Sequence, residues 1–329
     1  MAIIFVSIML MTIGGVFLIA CNNDNASGSD VYLITMDSLD EHWRRVNAGA
    51  KSIADEEKIS FTWQNPSTAS DAALQSELVR QATNNGAKVI MLASANAAGT
   101  KLAVEDAMDK GVKFIYVDSP SDASGAVQTL ATDNINAGTE AAKELLLRLE
   151  QQGIEITADG QVWAFRPDTS TSTEQRRAGF VAEMERVTGF KVDVTVNDAK
   201  DPDTAKTRAN TAIADGAKVL FGTNEGSTIG IGEAIADTNK SVVGAGFDVS
   251  SAITTSIRNG NILFTMQQNP TRMGTEGMKT AIQILKNKDY TPEEAKIDTG
   301  VTVYDNTNLE TRTNTIPLNY ILPLQSKRA

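Results

Sequence analysis

Three short junctions of nearly identical sequence constrain what this chain can fold into more than any other feature. Each joins a helical pattern to an apolar run of strand length: NGAKVI at 85–90, KGVKFI at 110–115 and DGAKVL at 215–220. Glycine is favoured just after a helix, because chains often leave a helix through a left-handed residue that other side chains adopt at a cost. Helices that lead repeatedly into buried strands predict βαβ units and parallel sheets.

The chain of 329 residues is long enough for two domains of ordinary size, each with its own core. Two of the junctions lie in its first half and one in its second, which predicts two similar α/β lobes with parallel, Rossmann-like sheets. Apolar runs typical of buried strands recur along the whole chain. They are Val31–Ile34, Phe61–Trp63, Val89–Leu92, Phe114–Val117, Val127–Leu130, Val162–Phe165, Val192–Val196, Val219–Phe221, Val242–Phe247, Ile262–Met266 and Val301–Tyr304.

The chain begins with a run of apolar and small residues, Ala2–Ala20, that leads into its only cysteine, Cys21. A short apolar segment with small residues before a processing site is typical of a secretory signal. The ending Leu-Ile-Ala-Cys resembles the lipobox of bacterial lipoproteins, which implies removal of residues 1–20 and lipidation of Cys21. Because basic residues are missing at the start, an uncleaved membrane anchor is the alternative. Either form holds the rest at the membrane, facing outward, with residues 21–30 as a flexible polar tether.

Composition and missing motifs exclude several functions. The net charge of −11 argues against a nucleic-acid partner, whose phosphates require a basic face. A single cysteine excludes an internal disulfide and a cysteine-rich zinc site. His42 is the only imidazole available as a base, and the sequence has neither a Gly-x-Ser-x-Gly elbow nor a Walker loop. The glycines of 226–232 lack the dinucleotide-binding order. We therefore predict a protein that is not an enzyme and that needs no cofactor or metal.

The stretch Val31–Ala50 predicts a buried strand, a short loop and a helix. Around the loop lie Asp37, Asp40, His42 and Trp43. Ligands of parallel α/β sheets bind outside the carboxyl ends of the strands, where such loops lie. An indole beside carboxylates there indicates a pocket for a polar ligand that has an apolar face. The alternative is that Trp43 packs under the helix and His42 is solvated.

Polar residues follow strand after strand of the predicted sheets. They are Asp37 and Asp40, Ser94 and Asn96, Asp118, Arg166, Asn224, Asp248 and Gln268. Carboxylates, amides and guanidinium groups offer paired acceptors and planar donors, which match adjacent hydroxyls on a sugar. An indole matches the C–H face of a sugar. The alternative for each position is a cap on the following helix.

Several short motifs carry a resemblance to a known family. They are Asp40–Trp43 with Asn47–Ala50, Tyr116–Ser119, Ala131–Asn134, Arg176-x-x-Gly179-Phe180, Thr223–Glu225, Gly246–Asp248 and Thr265–Pro270. In order and spacing they resemble the ribose-binding type of bacterial solute-binding protein, from Val31 to about Tyr304. The resemblance implies the type I periplasmic binding protein fold, in which two hinged lobes close on a ligand. The implied lobes are residues 31–132 with 269–299, and residues 133–268 with 300–329.

The resemblance also implies a set of ligand-binding residues. The positions that match sugar contacts of the family are Asp40, His42, Trp43, Asp118, Glu174, Asn224, Asp248 and Gln268. Arg166 and Ser94 join this set because they follow predicted strands. Ser119 stands where ribose binders usually have arginine, and Glu174 replaces a common arginine. Two lost cations disfavour an anionic ligand and leave open whether the sugar is ribose.

The function that the resemblance implies is capture of a small neutral carbohydrate, a monosaccharide or a polyol, in the cleft between the lobes. A monomer attached to the membrane through Cys21 would deliver this ligand to the membrane subunits of an ABC permease. The alternative is a ligand-sensing subunit, for a sugar or an autoinducer-2-like ligand, that signals to a membrane kinase or chemoreceptor. Transcription regulators share these lobes, but the lipobox stands where their DNA-binding headpiece would be.

Overall fold

The computed structural model describes residues 28–67, 71–166, 170–196, 201–238 and 242–309. The strands are β1 (Val31–Ile34), β2 (Phe61–Gln64), β3 (Val89–Leu92), β4 (Lys113–Val117), β5 (Gln128–Ala131), β6 (Val162–Arg166), β7 (Asp193–Val196), β8 (Val219–Gly222), β9 (Val243–Phe247), β10 (Ile262–Gln268), β11 (Lys296–Asp298) and β12 (Val301–Asp305). The helices are α1 (Glu41–Glu57), α2 (Ala72–Asn84), α3 (Ala97–Asp109), α4 (Asn134–Gln151), α5 (Thr171–Thr188), α6 (Pro202–Ala214), α7 (Glu225–Ala236), α8 (Ser251–Arg258) and α9 (Pro270–Lys286).

These strands form two six-stranded sheets of matching order, β11-β5-β4-β3-β1-β2 and β12-β10-β9-β8-β6-β7. Every pairing among the described strands is parallel except that of β10 with β12. Helices α1, α2, α3 and α9 pack on the first sheet, and α4 to α8 on the second. The predicted pair of parallel α/β lobes is confirmed, and we call these two units the first and the second lobe.

The three junction glycines adopt the conformation that the sequence predicts. The φ angles are 88° at Gly86, 91° at Gly111 and 98° at Gly216, all in the left-handed region. Each glycine ends a helix and leads into a strand whose apolar residues are buried, as strands covered on both faces must be. Strand β11 is not predicted from the sequence, because its residues Lys296–Asp298 are few and mostly exposed and form no apolar run.

The chain passes between the two lobes three times, from β5 to α4, from β10 to α9 and from β11 to β12. The crossing segments bind one another. The Thr132 hydroxyl donates to Oε1 of Gln268 over 3.1 Å, and the Thr299 N–H donates to the carbonyl of Ala131 over 2.9 Å. These contacts support a hinge at the three crossings. The lobe boundaries given above, at 132, 268 and 299, stay a prediction.

Glycines let helices approach so closely that backbones touch. On α4, a methyl group at Gly138 would overlap the carbonyl oxygen of Arg176. On α5, a methyl group at Gly179 would overlap the carbonyl oxygen of Ile135. Helices α1 and α9 of the first lobe make the same kind of crossing through Gly274. The α4–α5 crossing fixes the backbone of Arg176, whose side chain enters the site described below.

Several predictions fall outside the described residues. The signal segment 1–20, Cys21, the tether up to residue 27 and residues 310–329 are among them. Within the ranges that the structure describes, none of the helices has the length and apolar character needed to cross a membrane.

Substituting Gly179 by alanine tests the backbone contact between α4 and α5. We expect Gly179→Ala to lower the free energy of unfolding by about 1–3 kcal/mol, because the added methyl group meets backbone that cannot rotate away. Urea denaturation followed by circular dichroism measures this loss. The matched control is Ala182→Ser on an exposed position of the same helix. An equally small change in both variants would contradict the close crossing.

Candidate ligand-binding cleft

A polar cavity of about 30 Å³ lies between the lobes, at the carboxyl ends of both sheets. The first lobe contributes Met36, Asp37, Asp40, His42, Trp43 and Asp118 to its lining, and the second contributes Ser170, Ser172, Thr173, Arg176, Asn224, Asp248 and Gln268. A second cavity of about 270 Å³ lies at the hinge, where Arg45 is the only charged residue in its lining. Because the smaller cavity collects most of the charged groups, we take it as the candidate site.

Two aspartates occupy equivalent places in the two lobes. Asp118 follows β4 and Asp248 follows β9, which hold the same position in the two sheet orders. Both residues adopt left-handed backbone conformations, with φ of 62° and 70°. Aspartate tolerates this region better than most residues. The N–H of Asp118 donates to Leu130 over 2.9 Å and that of Asp248 donates to Met266 over 3.0 Å, so each stays bonded to the neighbouring strand.

His42 lies between these two carboxylates. Its Nε2 is 3.2 Å from Oδ2 of Asp118, and its Nδ1 is 3.6 Å from Oδ1 of Asp248. The ring meets Trp43 edge-on, with centroids 4.6 Å apart and planes at 89°. Burial disfavours the charged imidazolium, but the two carboxylates outweigh it and raise the pKa of His42 to about 10. The alternative interpretation of a solvated His42 is wrong, since only 4% of the residue is exposed.

The two carboxylates stay ionised despite their burial. Burial raises the pKa of both, but the imidazolium of His42 and the guanidinium of Arg176 lower it further. The net result is a pKa below the usual aspartate value for Asp118 and for Asp248. Both side chains therefore act as acceptors at neutral pH.

Arg176 is a buried cation that the sequence analysis did not place in the site. Its Nε donates to Oδ1 of Asn134 over 2.8 Å, and one terminal nitrogen donates to the carbonyl of Thr223 over 3.0 Å. The other terminal nitrogen donates to Oε1 of Gln268 over 2.5 Å and lies 3.6 Å from Asp118. The motif Arg176-x-x-Gly179-Phe180 is the sequence signal that could have placed Arg176 in the site. Its glycine allows the close crossing of α4 and α5 that positions the arginine.

Gln268 completes a network of polar groups across both lobes. Its Nε2 donates to Oδ1 of Asp248 over 2.9 Å, while its Oε1 accepts from Arg176. A continuous path of polar contacts thus runs from Asp118 through His42 to Asp248 and back through Gln268 and Arg176. Closure of the lobes brings these groups together, because Asp118 and His42 belong to one lobe and the other three to its neighbour.

Further contacts between the lobes involve acids at the helix starts. Oε2 of Glu225, at the start of α7, accepts from the His42 N–H over 3.3 Å. Oε1 of Glu41 accepts from the Ser251 N–H over 3.4 Å. Burial raises the pKa of Glu225 to about 7. Burial and the neighbouring Glu225 also raise the pKa of Asp40.

The structure brings most of the predicted ligand-binding residues together. The members of the set that line the cavity are Asp40, His42, Trp43, Asp118, Asn224, Asp248 and Gln268. Trp43 also packs in the apolar core of the first lobe, so both interpretations of this residue describe part of its environment. Asn224 likewise caps α7, because its Oδ1 accepts from the Ser227 N–H over 2.9 Å. Contact of these residues with a ligand stays a prediction.

Two residues of the predicted ligand-binding set lie outside the cavity lining, and the side chain of a third is not described. The Ser94 hydroxyl lies 2.7 Å from that of Thr100, and this hydrogen bond joins β3 to α3 away from the cavity. The carboxylate of Glu174 is 39% exposed and pairs with Arg177 one turn along α5. Arg166 ends β6, and its side chain lies outside the described part of the structure.

Ser119 and Glu174 stand where ribose binders usually have arginine, but the cavity is lined by a cation from another position, Arg176. The carboxylate of Glu174, at the start of α5, pairs with Arg177 and does not line the cavity, whereas the side chain of Arg176 does. The cavity therefore contains a guanidinium group. In the part of the chain that is described, no cluster of three or more histidine, cysteine or carboxylate residues has the arrangement of a metal site.

Two α/β lobes with a polar cleft between them define a class of proteins that bind small ligands by closing around them. This chain belongs to the periplasmic binding protein domain family, whose family model matches residues 31–289. The resemblance to ribose-binding-type proteins is confirmed by the comparisons. The ribose import binding protein of Haemophilus influenzae is 24% identical over 85% of this chain and 93% of that protein. The D-ribose/D-allose-binding protein of Pseudomonas aeruginosa is 22% identical over 81% of this chain and 84% of that protein.

Solved structures give the same fold. A carbohydrate transporter solute-binding protein from Agrobacterium radiobacter, in complex with D-arabinose, superposes with a TM-score of 0.77 at 24% identity, covering 86% of this chain and 96% of that one. An ABC transporter solute-binding protein from Agrobacterium vitis with bound D-fucose also gives 0.77, at 25% identity, over 87% of this chain and 98% of that one. The type I periplasmic binding fold is thereby confirmed.

Removing the imidazole tests whether its charge stabilises the closed cleft. A group whose pKa is raised on folding stabilises the fold below its unfolded pKa, and this contribution disappears as pH rises through the folded pKa. Below pH ~6.5 we expect the free energy of unfolding of the wild type to be about 3 kcal/mol larger than that of His42→Gln. The difference should shrink towards pH 10.

Urea denaturation at pH 6, 8 and 10 measures this difference. The chain has a single histidine, so the substitution removes one titrating imidazole and no other. Glu225 titrates in both proteins and cancels in the comparison. A difference in unfolding free energy that is constant from pH 6 to pH 10 would contradict a charged His42 between the two aspartates.

Proposed function

We propose that this chain is an extracytoplasmic solute-binding protein that captures a small neutral carbohydrate, a monosaccharide or a polyol, between its lobes. It hands this ligand to the membrane subunits of an ABC permease. The observation that carries the proposal is the lining of the cavity. Ionised aspartates from both lobes and a buried arginine from the second lobe meet there. The cleft residues on which this proposal depends are Asp40, His42, Trp43, Asn224 and Gln268, together with the two buried aspartates and Arg176.

The chemistry of the cavity supports a ligand with many hydroxyl groups. Asp118 and Asp248 stay ionised, so each accepts hydrogen bonds from hydroxyl donors. Arg176 and the amide of Asn224 offer donors for hydroxyl oxygens. The indole of Trp43 provides an apolar surface for C–H groups. An anionic ligand is disfavoured, because it would meet four carboxylates in the lining and only two cations.

The relatives support the ligand class and the transport role. Their names and bound ligands include ribose, allose, arabinose and fucose. They are described as import or solute-binding proteins, which favours delivery to a permease over the sensing alternative. We propose accordingly that the chain binds and releases its ligand unchanged, without catalysis, and that it acts as a monomer.

The start of the chain supports attachment to a membrane. The sequence Leu18–Cys21 fits a lipobox, and we propose that Cys21 carries lipid after removal of residues 1–20. Residues 21–30 then tether the lobes to the outer face of the membrane. The proposed lobes are residues 31–132 with 269–299, and residues 133–268 with 300–329.

A thermal-shift screen tests ligand capture. The full chain in detergent is heated with D-ribose, D-allose, D-arabinose or D-fucose, and with succinate as an anionic comparison. We expect at least one sugar to raise the melting temperature, because a ligand at a hundred times its Kd adds about 2.7 kcal/mol to stability. Succinate should leave the melting temperature unchanged.

The variants Asp248→Asn and Asp248→Ala separate the charge from the backbone. Asparagine tolerates the left-handed conformation as aspartate does, so Asp248→Asn removes the negative charge and keeps the backbone conformation. We expect it to weaken sugar binding tenfold or more, on the scale of ~1.5–3 kcal/mol for a hydrogen bond to a charged group. Asp248→Ala should lower the melting temperature more than Asp248→Asn does, because alanine adopts the left-handed conformation at a cost. Full sugar affinity in both variants would place the ligand elsewhere.

Mass spectrometry of the membrane fraction tests the anchor. We expect the mature chain to begin at Cys21 and to carry acyl chains, since the lipobox cysteine becomes the lipidated first residue. Cys21→Ser should keep residues 1–20 attached, because the cysteine is the site of modification. An intact start with unmodified Cys21 in the wild type would favour the uncleaved anchor.

A further inference from the structure

His42 occupies the place in the cleft where the polar contacts of both lobes meet. Its two ring nitrogens face Asp118 of the first lobe and Asp248 of the second, at 3.2 and 3.6 Å. The His42 main-chain N–H also donates to Glu225 of the second lobe. The side chain therefore joins the lobes through two carboxylates, which is the arrangement that a bound sugar would make with its hydroxyls.

With the lobes closed as in this structure, the space beside His42 is too small for a sugar. The cavity measures about 30 Å³, which is room for roughly two water molecules. A monosaccharide has about ten to twelve non-hydrogen atoms and needs several times that space. A sugar that bonds to both aspartates must therefore displace a group that already contacts them. His42 is the group that lies between them.

We propose that His42 is an internal competitor of the sugar, a specificity-determining residue that the ligand must displace from between Asp118 and Asp248. This inference rests on the proposed function and concerns the same cleft. The imidazolium holds the lobes together until a ligand offers hydroxyl donors to both carboxylates at once. A molecule that can bond to only one of the two aspartates leaves His42 paired with the other and binds weakly.

Displacement has a consequence for protons. The charged groups that face His42 are Asp118 at the end of β4, Asp248 at the end of β9, Glu225 on α7 and Asp40 before α1, with Arg176 on α5 behind Asp118. Away from the two aspartates, the imidazole loses the partners that raise its pKa to about 10. Its pKa then falls towards the ordinary value of about 6.5, and the ring gives one proton to the solvent.

The sign of the pH dependence follows from this release. Between about pH 6.5 and pH 10 the free protein holds a proton on His42 that the complex does not hold. Sugar affinity should therefore rise with pH across this window, by at most about tenfold per pH unit. Glu225 has a pKa of about 7 and is ionised above pH 8, so it contributes little to proton exchange there.

Titration calorimetry on the full chain in detergent measures the released proton. The probe is whichever of D-ribose, D-allose, D-arabinose and D-fucose stabilises the protein most, titrated at pH 8.5 in two buffers of different ionisation enthalpy. We expect the wild type to release about one proton per sugar bound, and its affinity to rise about tenfold from pH 7.5 to pH 8.5. His42→Gln should release close to none and show no such rise, because glutamine does not titrate.

A second measurement does not depend on the variant folding. Because the chain has one histidine, ¹⁵N spectra of the imidazole report His42 alone. At pH 8.5 the sugar should convert the imidazolium signal to that of the neutral ring. Sugar binding without proton release, with an unchanged imidazolium signal, would overturn the competitor role and leave the proposed function intact. Failure of all four sugars to bind the wild type and His42→Gln would overturn the proposed function and, with it, this inference.

Discussion

Two buried carboxylates, Asp118 and Asp248, are the charges on which the arrangement of this cleft depends. A buried ion is costly unless charged partners and hydrogen-bond donors surround it. Arg176, His42 and Gln268 provide these partners, and they come from both lobes. When the lobes separate, Asp118 therefore loses Arg176 and Asp248 loses His42, while each aspartate keeps a partner in its own lobe. Opening and closing of the cleft therefore changes which polar groups contact Asp118 and Asp248, while the two carboxylates keep their places in the lobes.

The two lobes hold these charges by the same structural device. In each, a strand at the third position of the sheet order ends in an aspartate with a left-handed backbone, and the N–H of that aspartate stays bonded to the next strand. Strands such as β4 and β9 are rigid because they are buried and paired on both sides. The carboxylates are therefore positioned by sheets and not by mobile loops, which suits recognition that depends on distances of a few tenths of an ångström.

Much of this could be predicted from the sequence, because the fold leaves local signals. Junction glycines, apolar runs and polar residues after strands indicated two parallel sheets and most of the cleft lining. Arg176 was missed because its position depends on a helix crossing, which joins residues far apart in the chain. Glu174 is outside the cavity lining because it is two positions before Arg176 on α5, and residues two positions apart on a helix face different sides. Strand β11 lacked any apolar signal. Ser94 is outside the lining because a hydroxyl at a strand end can equally bond to the neighbouring helix.

The order of the strands also determines when each lobe can be completed during synthesis. The edge strand β11 and the helix α9 belong to the first lobe, yet both follow the whole of the second lobe along the chain. Until residue 286 has emerged, α1 lacks the helix that covers its apolar face. The second lobe in turn waits for β12. Such long-range pairings delay folding, since chain-closure entropy must be overcome before the contacts form. The nascent chain therefore stays incompletely folded until β12, at residues 301–305, has been made.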